Sequence, residues 1–113
     1  MTKEDLPFIE HILDSIKAIE DFSKNISRKE LNTNRLEQSA IVREIEIIGE
    51  AVKNISKETK SKNKEIEWQK IAGTRDKMIH HYFGVDLDII WGIIKKELPI
   101  LKKQMLEIKK ESH

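Results

Sequence analysis

Apolar residues recur every three to four positions along most of the chain, a spacing that predicts amphipathic helices. The stripes predict helices over about residues 4–25, 34–56 and 68–80, and a last helix from Leu87 onward. The main apolar positions of these four helices are Leu6, Ile9, Leu13, Ile16 and Ile19; Leu36, Ala40, Ile41, Ile45, Ile48, Val52 and Ile55; Ile71, Ala72, Met78 and Ile79; and Ile89, Ile90, Ile93, Ile94, Leu98 and Leu101.

Polar and turn-forming residues mark the predicted ends of these helices. Thr2-x-x-Asp5 is a plausible start for the first helix, and Ser27-x-x-Glu30 predicts a short helical turn after it. Residues 57–66 are mostly polar and lysine-rich, which predicts a connecting loop. Phe83-Gly84 is expected to end the third helix. Asp86 suits the N-cap of the last helix, and Pro99 is expected to kink or break that helix.

The predicted helix over 34–56 is apolar over more of its circumference than one neighbouring helix requires. Val42, Ile47 and Ala51 widen its apolar face, so we expect it to pack on more than one partner, a second copy of the chain among them. Gly49 costs up to about 1 kcal/mol relative to Ala in a helix interior. Close approach of another helix is the expected compensation.

Composition favours one small helical domain. The 113 residues, expected to form a single domain over 1–113, include 4 Gly and 2 Pro, and 36% of them are charged. We therefore predict an all-α bundle of four or five helices. The absence of cysteine excludes disulfides and thiolate zinc sites. No apolar run predicts a membrane span, and the acidic start is unlike a signal peptide, so a cytoplasmic protein without a membrane partner is expected.

Charge is unevenly distributed along the chain. The formal net charge of +1 does not indicate a nucleic-acid binder. Carboxylates outnumber lysines over residues 1–22, whereas lysines outnumber carboxylates over 53–70 and 95–110. Basic segments therefore flank the middle of the chain, although ordinary solvated helix faces explain them equally well.

Residues 75–82 concentrate groups capable of acid–base and phosphate chemistry. They contain two of the four histidines, one of the four arginines, an aspartate and the only tyrosine. The guanidinium of Arg75 suits a phosphate, and His80 is a natural general acid or base near neutral pH. On a continuous helix Asp76 and His80 are neighbours, so the carboxylate could orient the imidazole and favour its protonated form.

Simpler interpretations of this segment stay open. A histidine-rich helix end is often only a packed and capped terminus. Asp76 and His80 supply two ligands, too few to predict a metal site. His81 is a candidate second proton-transfer group or a surface residue, and Lys77 is a candidate RNA contact or a solvated lysine.

Other aromatic and histidine residues have weaker functional readings. Trp68 and Trp91 could stack on bases, but their apolar neighbours favour a core position. His11 lies among acidic residues and His113 is terminal, so neither is expected to matter. No Ser–His–Asp signature or glycine-rich nucleotide loop is present.

The chain resembles the HEPN superfamily, which is marked by Arg followed four to six residues later by His. It is most similar to the HepT-type toxins, whose motif is Arg, four residues, His, any residue and Tyr; Arg75, His80 and Tyr82 match it. Departures fall at Asp76 and His81, where family members often have Asn and Asp. The surrounding matches are Ile47-Ile48-Gly49-Glu50-Ala51, Trp68-x-x-Ile71-Ala72-Gly73-x-Arg75, His80-x-Tyr82-Phe83-Gly84-Val85-Asp86 and Leu98-Pro99-x-Leu101.

This resemblance implies a HEPN-type bundle and a metal-independent endoribonuclease, the toxin of a type VII HEPN–MNT toxin–antitoxin pair, that needs no cofactor. It implies a homodimer whose two motifs face a shared cleft, with Arg75 and His80 catalytic and Asp76 and His81 supporting. It also implies an antitoxin, a small MNT-type nucleotidyltransferase, that transfers AMP onto Tyr82. The alternatives are a non-catalytic HEPN-like helical dimer that binds a nucleotide or a partner protein, and a helical adaptor.

Overall fold

The predicted stripes form helices that pack side by side in a computed structural model. The structure describes residues 2–80 and 84–111, and at residues 79, 80, 84 and 85 it describes only the backbone. In chain order the elements are a 3₁₀ turn Lys3–Asp5, α1 Leu6–Ser23, α2 Arg28–Thr33, α3 Arg35–Asn54, α4 Lys57–Lys62, α5 Trp68–Ala72, α6 Thr74–Met78, β1 Ile79–His80, β2 Gly84–Val85, α7 Leu87–Gly92, a π-helical turn Ile93–Glu97 and α8 Leu98–Glu111.

The all-α fold class is confirmed. The described residues form seven helices when the unbroken run from Leu87 to Glu111 is counted as one. This is more than the four or five expected, because one predicted loop is helical and one predicted helix is divided. Over the described residues, no helix is both long enough and apolar enough to cross a membrane.

The core lies between α1, α3 and α8. Helices α1 and α3 pack along each other, and the C-terminal run packs against α1. Ile9, Ile12 and Ile19 of α1 are fully buried, as are Ile41 and Val52 of α3. Leu36 was predicted on the apolar face of α3, which is wrong, because 81% of its surface is exposed in the first turn. Of the rest of the predicted stripe, Ile41, Ile45, Ile48, Val52 and Ile55 belong to this core, whereas Ala40 is only half-buried.

Gly49 lies where the backbone of α5 crosses α3. A Cβ at Gly49 would lie 3.3 Å from the carbonyl oxygen of Ala72 and 3.8 Å from that of Ile71. The predicted close approach of another helix is therefore confirmed. This contact holds the start of the motif segment against α3, since Ala72 is three residues before Arg75.

The predicted loop over 57–66 is wrong over its first half, which is helix α4. The side chain of Ser56 accepts a hydrogen bond from the backbone N–H of Thr59 and so caps α4. The buried carboxylate of Asp5 accepts hydrogen bonds from the Ser56 N–H at 2.9 Å and the Ser56 hydroxyl at 2.7 Å, and from the hydroxyl of Thr59. A polar, lysine-rich segment is helical here because the N-terminus of the chain anchors its first turn. Asp5 therefore serves α4, and Thr2 makes no side-chain cap bond.

Other predicted boundaries are confirmed. Ser27 accepts from the N–H of Glu30 at the start of α2, and Asp86 accepts from the N–H of Ile89 at the start of α7.

Before Pro99 the helix does not break; it adopts the π-helical turn Ile93–Glu97 and continues. Because proline lacks an N–H, the hydrogen bonding of the preceding turn is rearranged there.

Candidate active site

The motif segment is helical only in its first part. The N–H of Gly73 bonds to the carbonyl of Gln69 and ends α5; α6 then runs over Thr74–Met78. The predicted helix to His80, ending at Phe83-Gly84, is wrong. The carbonyl of Met78 accepts instead from the N–H of Asp86, and β1 pairs antiparallel with β2 in the register Ile79 to Val85 and His80 to Gly84.

This change of conformation alters the expected relation of the motif residues. Asp76 is helical and His80 is in an extended strand, so their predicted neighbourhood on one helix face is wrong. The side chain of His80 lies outside the described part, as do His81, Tyr82 and Phe83 entirely. Their proposed roles stay predictions from the sequence.

Arg75 lies on α6 with its side chain 59% exposed. Its Nε lies 3.3 Å from Oε2 of Glu46, a half-buried residue of α3. An ion pair through Nε leaves both terminal nitrogens of the guanidinium available to another anion. Arg75 is therefore held from one side while its phosphate-binding fork stays accessible.

Glu46 was missed in the sequence, although a signal was present. It is a carboxylate between Ile45 and Ile47, within the widest apolar part of α3. A charge at such a position needs a partner, because burying an unpaired carboxylate is costly. That partner is Arg75.

Arg75 opens onto a cleft of about 540 Å³ between α1, α3 and the α5–α6 segment. We call this the α1–α3–α6 cleft. Asp76, the predicted supporting residue, also lines it, whereas Lys77 is exposed and is not among its lining residues. The lining residues are Phe8, His11, Arg43, Ile45, Glu46, Ile47, Gly49, Glu50, Ala51, Lys53, Asn54, Ala72, Arg75 and Asp76.

Residues outside the motif divide between core and cleft. Trp68 is buried, and its indole N–H donates to the carbonyl of Asn63 at 3.0 Å, so the predicted core position is confirmed. Trp91 is half-buried against the core, with the ammonium of Lys95 4.8 Å from its ring centre. His11 was not expected to matter, yet it lines the same cleft as Arg75.

The fold and this site define a HEPN-type protein. The model of the "Ribonuclease HepT-like" family matches residues 12–108. The chain therefore belongs to the HepT-like ribonuclease family.

Three relatives illustrate the match. A protein of Caldanaerobacter subterraneus subsp. tengcongensis, whose name carries a provisional RNase assignment, is 47% identical over 90% of this chain and 91% of its own. "Probable ribonuclease HepT" of Thermococcus cleftensis is 37% identical over 97% of this chain and all of its own. A Methanocaldococcus jannaschii protein, named as a gamma-glutamylcyclotransferase and provisional RNase, is 41% identical over 98% of this chain, which spans half of it. No solved structure matches the chain significantly.

Proposed function

We propose that the chain is a metal-independent endoribonuclease that acts as the toxin of a type VII HEPN–MNT toxin–antitoxin pair. The observation that carries this proposal is the complete Arg75, His80 and Tyr82 motif in a chain of the HepT-like ribonuclease family. The accessible fork of Arg75 at the α1–α3–α6 cleft supports it. The proposed site of action is the cytoplasm, where a toxin of this kind would meet cellular RNA.

The proposed reaction is attack of the RNA 2′-OH on the adjacent phosphorus. One histidine accepts the 2′-OH proton as the O2′–P bond forms, and a second donates a proton to O5′ as the P–O5′ bond breaks. The products are a 2′,3′-cyclic phosphate and a 5′-OH end. Arg75 stabilises the charge on the phosphorane oxygens. This chemistry needs no metal ion or cofactor.

The two histidines come, in this proposal, from His80 of each subunit of a symmetric homodimer. A two-fold interface repeats each residue once on either side, so acid and base can be the same residue. Asp76 and His81 support proton transfer, and Lys77 adds positive charge for RNA. Light scattering at micromolar concentration should show a dimer, and a monomer would contradict the shared site.

Two matched oligonucleotides in excess chelator test the class of reaction. The proposal expects cleavage of single-stranded RNA with no divalent ion, and none of DNA of the same sequence, because DNA lacks the attacking 2′-OH. Binding of the RNA without cleavage would instead support a non-catalytic RNA-binding dimer. Cleavage abolished by chelator and restored by a divalent ion would overturn the metal-independent mechanism.

Regulation is proposed to act on Tyr82. An MNT-type nucleotidyltransferase would transfer AMP from ATP to the phenol oxygen and release pyrophosphate. The new phosphodiester places a negative charge two residues from His80 in the sequence, where it would compete with RNA for Arg75 and repel the RNA backbone. Inhibition of this kind requires no change of fold and persists after the antitoxin is removed.

The Tyr82→Phe variant tests whether Tyr82 accepts AMP without taking part in RNA cleavage. We expect the variant to retain much of the ribonuclease activity, because the phenol is not a proton-transfer group in this scheme. It should gain no AMP on incubation with the antitoxin and ATP, as measured by intact-mass spectrometry. If the Phe variant gains AMP mass as readily as the parent, the acceptor is another residue.

A further inference from the structure

The α1–α3–α6 cleft contains a second guanidinium that the proposed cleavage step does not use. Arg43 lies on α3, is exposed, and makes no hydrogen bond or ion pair to another described residue. The other cations of the cleft are engaged: Arg75 pairs with Glu46, and Lys53 pairs with Glu50 at 3.3 Å. Arg43 is thus a cation available to an outside anion.

Arg43 and the carboxylate that holds Arg75 lie on the same helix. Arg43 and Glu46 are three residues apart on α3, which corresponds to a rise of about 4.5 Å. Because Glu46 holds Arg75, the guanidinium groups of Arg43 and Arg75 both border one concave surface. Such a pair suits two successive phosphates of one strand better than a single anion.

The opposite wall supplies a phenyl ring and an imidazole. Phe8 and His11 are one turn apart on α1 and both line the cleft. Phe8 is half-buried, and His11 is exposed with no hydrogen bond to another described residue. An aromatic ring beside cations is the combination that binds single-stranded nucleic acid. Three carboxylates also line this cleft, and two of them, Glu46 and Glu50, are paired with Arg75 and Lys53. The cleft volume of about 540 Å³ lies within the range of small-ligand sites.

We propose that this cleft binds the nucleotide adjacent to the scissile phosphodiester. Arg43 binds the phosphate next to the one at Arg75, His11 hydrogen-bonds to the same nucleotide, and the ring of Phe8 stacks on its base. This inference rests on the proposed ribonuclease function and names a substrate subsite for it. It distinguishes Arg43 and His11 as substrate-binding residues from Arg75 and His80 as catalytic ones.

Substrate length tests the subsite directly. A dinucleotide with one phosphodiester cannot reach Arg43, whereas a trinucleotide supplies the second phosphate. In the trinucleotide, one phosphodiester lies at Arg75 and is cleaved while the other lies at Arg43. Arg43→Ala should lower kcat/KM for this cleavage by about ten- to a hundredfold, the usual effect of losing a charged hydrogen bond. The same variant should cleave the dinucleotide as fast as the parent does. His11→Ala should show the same dependence on length with a smaller loss.

Arg35→Ala is the matched control. Arg35 is on the same helix, is exposed, has no described ion pair and lies outside the cleft. Its loss should leave kcat/KM for both substrates unchanged. Equal losses on both substrates in Arg43→Ala, or no loss on either, would overturn the subsite.

Salt dependence of binding separates this inference from the function on which it rests. Binding of a short fluorescein-labelled single-stranded RNA to the His80→Ala protein is measured by anisotropy across a salt series. The logarithm of the binding constant falls linearly with the logarithm of the salt concentration. Removing Arg43 should make this slope shallower by about 0.7, the value for one phosphate contact in single strands. Removing Arg35 should not change the slope.

Each outcome has one meaning. A parent that cleaves no RNA but binds it with the Arg43-dependent slope would refute the nuclease and leave the cleft as an RNA-binding site. An unchanged slope in Arg43→Ala would refute the subsite even if the parent cleaves RNA. Binding of an acidic peptide in place of RNA, with the same dependence on Arg43, would make the cleft a protein-docking site and also refute the subsite.

Discussion

At the scale of single residues, the contact between Glu46 and Arg75 decides how the motif arginine is presented. A guanidinium free in solvent samples many rotamers, and holding it through Nε removes part of that freedom before substrate binds. The same carboxylate carries a negative charge near the expected RNA path. In the proposed reaction Glu46 is therefore a positioning residue with two opposing effects.

Glu46→Gln should split these two effects. We expect kcat to fall about tenfold because the guanidinium is less well oriented, while KM stays unchanged or decreases because a negative charge is removed. Glu50→Gln is the matched control, since Glu50 lines the same cleft one turn away and pairs with Lys53. The measurement is steady-state cleavage of a labelled RNA, combined with thermal unfolding of each variant.

A purely structural role for Glu46 would lower the folded fraction and leave kcat per folded molecule unaltered. A purely repulsive role would make Glu46→Gln faster than the parent. In an Arg75→Ala background, the Glu46 substitution should have no further effect on kcat, because there is no guanidinium left to position. Additive losses in the double variant would contradict the positioning role.

At the scale of elements, two helical glycines have opposite surroundings. A Cβ at Gly49 would press on the Ala72 carbonyl at 3.3 Å, whereas a Cβ at Gly92 would meet nothing within 4 Å. The first glycine is required by the contact between α3 and α5, and the second is not required by packing. The backbone of α5 therefore limits which residue α3 accepts at position 49.

Substituting both glycines tests this difference. Gly92→Ala should raise the free energy of unfolding by up to about 1 kcal/mol, the usual difference in helix propensity. Gly49→Val should lower it by about 1–3 kcal/mol, the usual cost of forcing extra atoms into a close contact. Denaturant unfolding followed by circular dichroism measures both. A stabilised Gly49→Val would show that α5 moves away without cost.

The Asp5 carboxylate links the first turn of the chain to α4, and the stability of this contact should depend on pH. Burial alone raises the pKa of Asp5, but hydrogen bonds donated by Thr59 and Ser56 favour the ionised form and lower the pKa below its ordinary value. A lowered folded pKa means that the stabilisation is complete above the unfolded pKa of about 3.9 and is lost as the pH falls through the folded value.

Asp5→Asn should therefore cost about 1–3 kcal/mol of unfolding free energy near neutral pH, where the parent carboxylate is ionised and bonded. The cost should shrink as the pH is lowered through the acid range. Asp14→Asn, an exposed carboxylate on α1, is the control and should change stability little at any pH. An Asp5→Asn penalty that stays constant down to strongly acidic pH would contradict the account.

Elements whose signals are local could be predicted from the sequence. The apolar periods of α1, α3 and the C-terminal run, and the caps at Ser27 and Asp86, lie within a few residues of what they determine. Helix α4 was missed because its anchor, Asp5, is 51 residues away from Ser56 in the chain. The early end of α6 was missed because strand pairing with Gly84–Val85 competes there with a helical pattern.

The candidate site divides in the same way. Arg75, His80 and Tyr82 are recognisable because their spacing matches a family motif, and Asp76 was found beside them. Glu46, Arg43 and His11 were not found, since only folding brings α1 and α3 to α6. A sequence motif thus locates the proposed catalytic groups, whereas the residues proposed to orient them and to bind substrate come from separate helices.

At the scale of the whole molecule, the proposed function requires more than one chain. Each chain supplies one motif histidine, and the wide apolar face of α3 leaves Ile47 only half-buried in the isolated chain. In the proposed dimer, a second copy beside this face would bring two copies of Arg75 to a common cleft while leaving the α1–α3–α6 cleft, which Ile47 lines, open to substrate. The proposed active site is therefore a property of the dimer, while the fold belongs to each chain.

The central claim is that His80, acting with Arg75, cleaves RNA without a metal ion. The most direct test is cleavage of a labelled single-stranded RNA in excess chelator by the parent, His80→Ala and His113→Ala, each first confirmed as a folded dimer. We predict that His80→Ala loses about 10²–10⁴-fold in kcat, the usual contribution of a proton-transfer group, and that His113→Ala cleaves as the parent does. A His80→Ala dimer that cleaves RNA at the parental rate would contradict the account.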